Sequence, residues 1–132
     1  MPSKLQSNVN YGTVINCIDA TIRLPVIEFL KFVWKVQWVI VINEAAPEKV
    51  LSEGKDAQAI EHIHQNIRAS LGNQAQKRLA IVSHYGCNLN KAGDVEKKGM
   101  LRKAVDYLKN KYSGVEVLGI WVDKEGKPSN VG

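Results

Sequence analysis

A chain of 132 residues, 45% hydrophobic and 23% charged, is sized for one domain over 1–132 and excludes a disordered, fibrous or disulfide-stapled architecture. The N-terminus lacks the basic-then-apolar pattern of a secretory signal and no apolar run approaches the ~20 residues that cross a bilayer, so a cytoplasmic protein without a membrane partner is expected. Net charge is +5, but the basic residues are scattered; their one concentration, Lys97, Lys98, Arg102, Lys103, Lys109 and Lys111, reads as a solvated helix face without interleaved aromatics, and no nucleic-acid partner is expected.

The first element is a short buried strand over 11–16, with Val14 and Ile15 between Gly12 and a polar turn. Pro25 suits a first helical turn, after which Val26, Phe29, Leu30, Val33 and Trp34 recur at helical spacing. The β-branched run over 38–42, closing at Asn43, predicts a second strand, apolar on both faces as in a parallel sheet. Asp56 then caps a helix whose stripe is Ile60, Ile63, Ile67 and Leu71, with Gly72-Asn73 as its stop. A third strand follows over 79–82. Asp94 caps the next helix, with Leu101, Ala104, Val105, Leu108 and Tyr112 inward, and Gly114 separates it from a strand over 115–122.

Strands that alternate with helices predict an α/β fold, because parallel neighbours need a crossover and a helix is the usual one. The expected architecture is a three-layer αβα domain around a mainly parallel four-stranded sheet of order 2-1-3-4. Strands one and three would then flank the topological switch point, where ligands bind in such sheets.

Cys17 follows the first strand, His84 opens the turn after the third, and Cys87 lies in that turn. These are the only cysteines of the chain, and the sheet order brings all three residues to one crevice. Two thiolates and an imidazole form a zinc ligand set, and three protein ligands leave one tetrahedral position open for chemistry. The plainer alternative is two small buried hydrophobes and a loop histidine bonded to backbone. A redox-active dithiol is a further alternative. His62 and His64 read as solvated surface histidines, and Trp34, Trp38 and Trp121 as core or interface residues.

Cys17-Ile-Asp19 and His84-Tyr-Gly-Cys87 resemble the Cys-x-Asp-x-Arg and His-x-x-Cys zinc motifs of the β-class carbonic anhydrases. Asn43-Glu-Ala45 and the strand ending at Asp123 are similar to further segments of that family, so the resemblance covers nearly the whole chain. It departs at Thr21, which stands where the family has arginine, and at Asn88, where glycine is common. Arg23, followed by Leu24-Pro25, is read as that arginine displaced by a two-residue insertion.

The resemblance implies a Zn2+ enzyme that interconverts carbon dioxide and bicarbonate. Cys17, His84 and Cys87 would hold the metal. Asp19 would orient the hydroxide that attacks substrate, and Arg23 would keep Asp19 ionised; a released Asp19 could become a fourth ligand. The alternative for this pair is a turn-capping aspartate and a solvated arginine. Asn43, Tyr85, Gly86 and Asn88 would line the substrate pocket, and a homodimer or higher homo-oligomer is implied. The competing readings are a catalytically silent relative whose closed zinc site is structural, and hydrolysis of a related small substrate such as carbon disulfide.

Overall fold

The computed structural model describes residues 10–72, 74 and 76–131. In chain order they form β1 (Tyr11–Cys17), α1 (Ala20–Trp34), β2 (Trp38–Glu44), α2 (Pro47–Glu53), α3 (Ala57–Leu71), β3 (Arg78–His84), α4 (Asp94–Lys111), β4 (Glu116–Val122) and β5 (Pro128–Asn130). The sheet order is β2-β1-β3-β4-β5. The first four strands are parallel, and β5 returns antiparallel along β4.

The expected order 2-1-3-4 stands, with a fifth strand at the β4 edge that the sequence reading did not include. This strand has three residues and no apolar alternation. It exists because Asp123 accepts from the backbone N–H groups of Glu125 and Lys127, while Gly126 adopts φ +78°, which turns the chain back.

The first helix begins earlier than Pro25 suggests. Asp19 is its N-cap, its side chain accepting from the Thr21 N–H, and a satisfied cap fixes where a helix starts. Pro25 therefore sits inside α1, where the missing N–H costs one backbone bond, and the helix still closes on Lys35 in the left-handed region. Its buried stripe is Ile22, Val26, Leu30 and Trp34; Val33, expected inward, faces out. The short α2 was also not anticipated. Pro47 starts it after Ala46 at φ 44°, and seven residues give too few turns for helical periodicity to show. For α3 the Asp56 cap and the Ile63, Ile67 and Leu71 stripe are as expected. Of the expected Gly72-Asn73 stop, Asn73 lies outside the described residues.

The two faces of the sheet carry separate cores. Ile15, Leu79, Ile81 and Trp121 pack against Leu51 of α2, Ile63 and Ile67 of α3, and Leu101 and Leu108 of α4. Val14, Ala80, Val82 and Ile120 pack against α1. Each fully buried Ile or Leu contributes roughly 1.5–3 kcal/mol. Trp34 lies so close over Gly12 that a Cβ there would meet its ring at 2.4 Å. The strand β2 forms the other edge, so it is only half-buried and Trp38 is 39% exposed, not apolar-covered on both faces as expected.

Helices on opposite faces leave β1 and β3 side by side, in register at Ile15 and Ile81. Two and three residues further on, the chain reaches Cys17 and His84 at the same edge of the sheet. The loops after them diverge to different faces.

Candidate metal centre

Cys17 is the last residue of β1 and His84 the last of β3, so His84 ends a strand rather than opening a turn. Gly86, at φ +73°, turns the chain so that Cys87 folds back under the strand ends. The two sulfurs are 3.9 Å apart, and one ligand atom from each of Cys17, His84 and Cys87 lies within 4.8 Å of the others, all three residues buried. Zinc bonds to sulfur at about 2.3 Å, and a tetrahedral angle then separates two sulfurs by roughly 3.8 Å. Both thiols are free, and burial, followed by the neighbouring Cys17, pushes the Cys87 thiol above its ordinary pKa.

The histidine is oriented for this group. Its Nδ1 donates to the Tyr85 carbonyl at 2.9 Å, because a carbonyl can only accept. That bond sets the tautomer and leaves Nε2 with its lone pair. His84 is 2% exposed, and Nε2 is buried without a hydrogen-bond partner. A buried polar atom without a partner is unfavourable, and a cation between Nε2 and the two sulfurs is what this donor set fits.

Asp19 and Arg23 do not meet. The Asp19 Oδ1 accepts from the Thr21 backbone N–H at 2.9 Å and from its hydroxyl at 2.7 Å. Those two bonds, the hydroxyl first, hold the Asp19 carboxyl below its ordinary pKa. Arg23 instead donates from Nη2 to Asn43 Oδ1 at 2.9 Å. The residue standing in the arginine position of the motif thus does the holding, and Arg23, two residues further along α1, reaches across to β2. Asp19 lies outside the group that could hold a metal ion, and its Oδ2 is 3.9 Å from His84 Nδ1.

A cavity of about 240 Å3 opens over the centre, lined by Cys17, Ile18, Asp19, His84, Cys87, Asn88 and Leu89. Of the four residues expected in a substrate pocket, Asn88 lines it. Tyr85 and Gly86 line an adjoining cavity of about 410 Å3 with Cys87 and Lys97, and Asn43 belongs to a separate one beside β2. Ile18 and Leu89, 56% and 48% exposed, were not singled out from the sequence. Their only signal is chain position, each beside the site at a point where an exposed apolar side chain has no packing reason to be.

Two expectations about surface residues are corrected. His64 is 4% exposed and hydrogen-bonded on both ring nitrogens, to the hydroxyls of Tyr112 and Tyr107; it lies one residue past Ile63 and turns towards α4. Lys97, assigned to a solvated face, is 3% exposed and bonds to the His84 carbonyl. His62 is exposed beside Glu44, 3.4 Å away.

A parallel α/β sheet with two cysteines and a histidine converging at its switch point defines a candidate mononuclear metalloprotein. The chain belongs to the family described as "Putative carbonic anhydrase", whose model matches residues 7–132. No curated protein sequence matches it. Among solved structures, a carbonic anhydrase from Streptococcus mutans superimposes with a TM-score of 0.64 at 11% identity, over 100% of this chain and 87% of that one. At that identity the likeness is one of fold. No described helix is long and apolar enough to cross a membrane.

Proposed function

We propose that Cys17, His84 and Cys87 hold a zinc ion and that the protein interconverts carbon dioxide and bicarbonate beside it. The observation that carries this reading is His84, whose Nε2 is buried and partnerless, with a ring nitrogen within 4.8 Å of two sulfurs that are 3.9 Å apart. A donor set of two soft thiolates and one imidazole favours zinc over harder cations. When bound, zinc supplies an acidified water as nucleophile at neutral pH.

The chain's own residues divide the remaining work. Asp19 keeps Oδ2 for a hydrogen bond at the reacting atom, since Oδ1 is taken by Thr21. Thr21 thereby performs the holding role expected of Arg23, by hydrogen bonding in place of charge. Ile18 and Leu89 give the cavity an apolar wall suited to a small uncharged substrate. Its volume, about 240 Å3, is ample for a three-atom molecule.

Asp19's position outside the ligand group supports an open site over one closed by a fourth protein ligand. Stopped-flow hydration of carbon dioxide by zinc-loaded protein is the test. Turnover above buffer that disappears in Cys87→Ser supports the reading, and a zinc-loaded protein without turnover leaves the metal a structural role. A second copy of the chain is the proposed partner, because Leu24 and Phe32 on α1 are 63% and 72% exposed and, among the described residues, α1 is the one helix on its face of the sheet. Sedimentation equilibrium that returns a monomer would reject this.

A further inference from the structure

We propose that Lys97 is a positioning residue for the metal centre: its buried ammonium holds the backbone of His84 and so aims the imidazole at the two sulfurs. The inference rests on the metal reading above.

His84 needs such support because of where the ladder stops. The Tyr85 N–H donates to the Val122 carbonyl of β4 at 2.9 Å. In a trans peptide the carbonyl of one residue and the N–H of the next point in opposite directions, so the His84 carbonyl faces the β1 side. There the paired register ends at Ile15 and Ile81, and β1 itself ends at Cys17. The same divergence that opens the crevice for a ligand therefore takes away the strand partner of the His84 carbonyl.

Lys97, the fourth residue of α4, fills that gap. Its Nζ donates to the His84 carbonyl at 3.0 Å, and its side chain is 3% exposed. Lysine is almost never so buried unless paired with an acid, yet among the described residues no carboxylate oxygen lies within 4.0 Å of it. Its Nζ also lies over the Trp121 ring, 5.9 Å from the centroid. A desolvated ammonium placed on one neutral carbonyl is a poor device for stability alone. It is a strong device for fixing that carbonyl, since charge-assisted bonds are about twice as strong as neutral ones. On the same face of the sheet, buried Glu48 of α2 accepts from the Ser83 hydroxyl, so adjacent residues at the end of β3 are gripped from two helices.

Three variants of the full chain separate this role from simple packing: Lys97→Met, which keeps the stem and removes the donor, Lys97→Arg, which restores a cationic donor, and Lys98→Met. Lys98 is the control, because it sits on the same helix and against the same Trp121 ring, 5.1 Å away, without touching His84. The measurements are zinc affinity by competition with a chromophoric chelator, the visible spectrum of the cobalt(II) form, and the thermal midpoint of metal-free protein.

The role predicts that Lys97→Met binds zinc about 10–100-fold more weakly, the usual effect of losing an outer partner of a metal ligand. It also predicts altered cobalt bands, with Lys97→Arg returning towards wild type and Lys98→Met unchanged. Wild-type affinity and spectrum in a folded Lys97→Met would overturn it, as would an equal loss in Lys98→Met. If Lys97→Met does not fold, Lys97→Gln takes its place; if neither folds, Lys97 serves the fold and the assignment is overturned. A wild-type chain that binds no metal rejects the metal reading instead, which keeps the two failures apart.

Discussion

Thr21 donates both its hydroxyl and its backbone N–H to the same oxygen of Asp19, so one neutral residue fixes the carboxylate that caps α1 beside the candidate metal-binding group. A guanidinium would hold Asp19 by charge; Thr21 does so by geometry, within one helical turn. Thr21→Val keeps the shape and the backbone bond and removes the hydroxyl, and it is expected to lower kcat/KM for hydration by roughly 10–100-fold. Arg23→Ala, which breaks only the bond to Asn43, should have the smaller effect. Steady-state kinetics of the two variants rank them, and the opposite ranking would return the holding role to Arg23.

Removing the cap altogether has a separate, thermodynamic consequence. Asp19→Ala leaves the first N–H groups of α1 unsatisfied and is expected to destabilise the fold by ~0.5–2 kcal/mol. The carboxyl's folded pKa is lowered, so its contribution is present above the unfolded value near 4 and fades as pH falls through the folded one. Urea midpoints of wild type and Asp19→Ala should therefore differ at pH 7 and converge in acid.

The convergence of Cys17, His84 and Cys87 could be read from the sequence because Cys17 and His84 sit at ends of strands whose order follows from alternation: once β1 and β3 are neighbours, Cys17 and His84 must share an edge. Strand order is set by apolar runs and crossovers, which leave long signals. The partners of Asp19 were not readable in the same way. Thr21 and Arg23 both follow Asp19 closely, and which of them turns towards it depends on α1 starting at Ala20 rather than near Pro25, a matter of one cap. Lys97 was misread because the spacing of charges along a helix does not reveal which carbonyl lies under it. His64 looked solvated because Tyr107 and Tyr112, which receive it, are more than forty residues away.

His64 carries a prediction of its own. Both ring nitrogens are bonded to tyrosine hydroxyls, and burial, followed by the nearby Lys111 and Arg68, lowers its pKa below the ordinary histidine value. The unfolded chain then binds the proton more readily than the folded one, so stability is complete above about pH 6.5 and declines as pH falls below it. His64→Leu removes that proton. Its urea midpoint should vary less between pH 7 and pH 5 than that of wild type, and equal slopes would show that His64 does not titrate with folding.

Close approach at Gly12 makes a sharper test of the packing under α1. An added Cβ would lie 2.4 Å from two atoms of the Trp34 ring, and a ring wedged in a core cannot yield as the tip of a flexible chain does. Gly12→Ala should destabilise by about 1–3 kcal/mol, the usual penalty for overpacking. Gly12→Ala combined with Trp34→Leu should recover part of that loss, because the clash and its partner are removed together. Thermal midpoints of the three proteins decide between a clash and a loss of backbone freedom, since only a clash is relieved by shortening Trp34.

Metal binding must itself be proton-linked. Burial raises the Cys87 thiol, so the metal-free site holds a proton there at neutral pH, and a cation that binds the thiolate has to displace it. Zinc uptake should therefore release protons and weaken progressively as pH is lowered, in a pH-stat or in calorimetry repeated in buffers of different ionisation enthalpy. Cys87→Ser removes both the sulfur and its proton, and its residual affinity should be low and less dependent on pH. A wild-type affinity that is flat between pH 6 and pH 8 would mean that Cys87 is not a ligand, whatever metal the protein retains, because thiolate coordination from a raised pKa cannot proceed without giving up that proton.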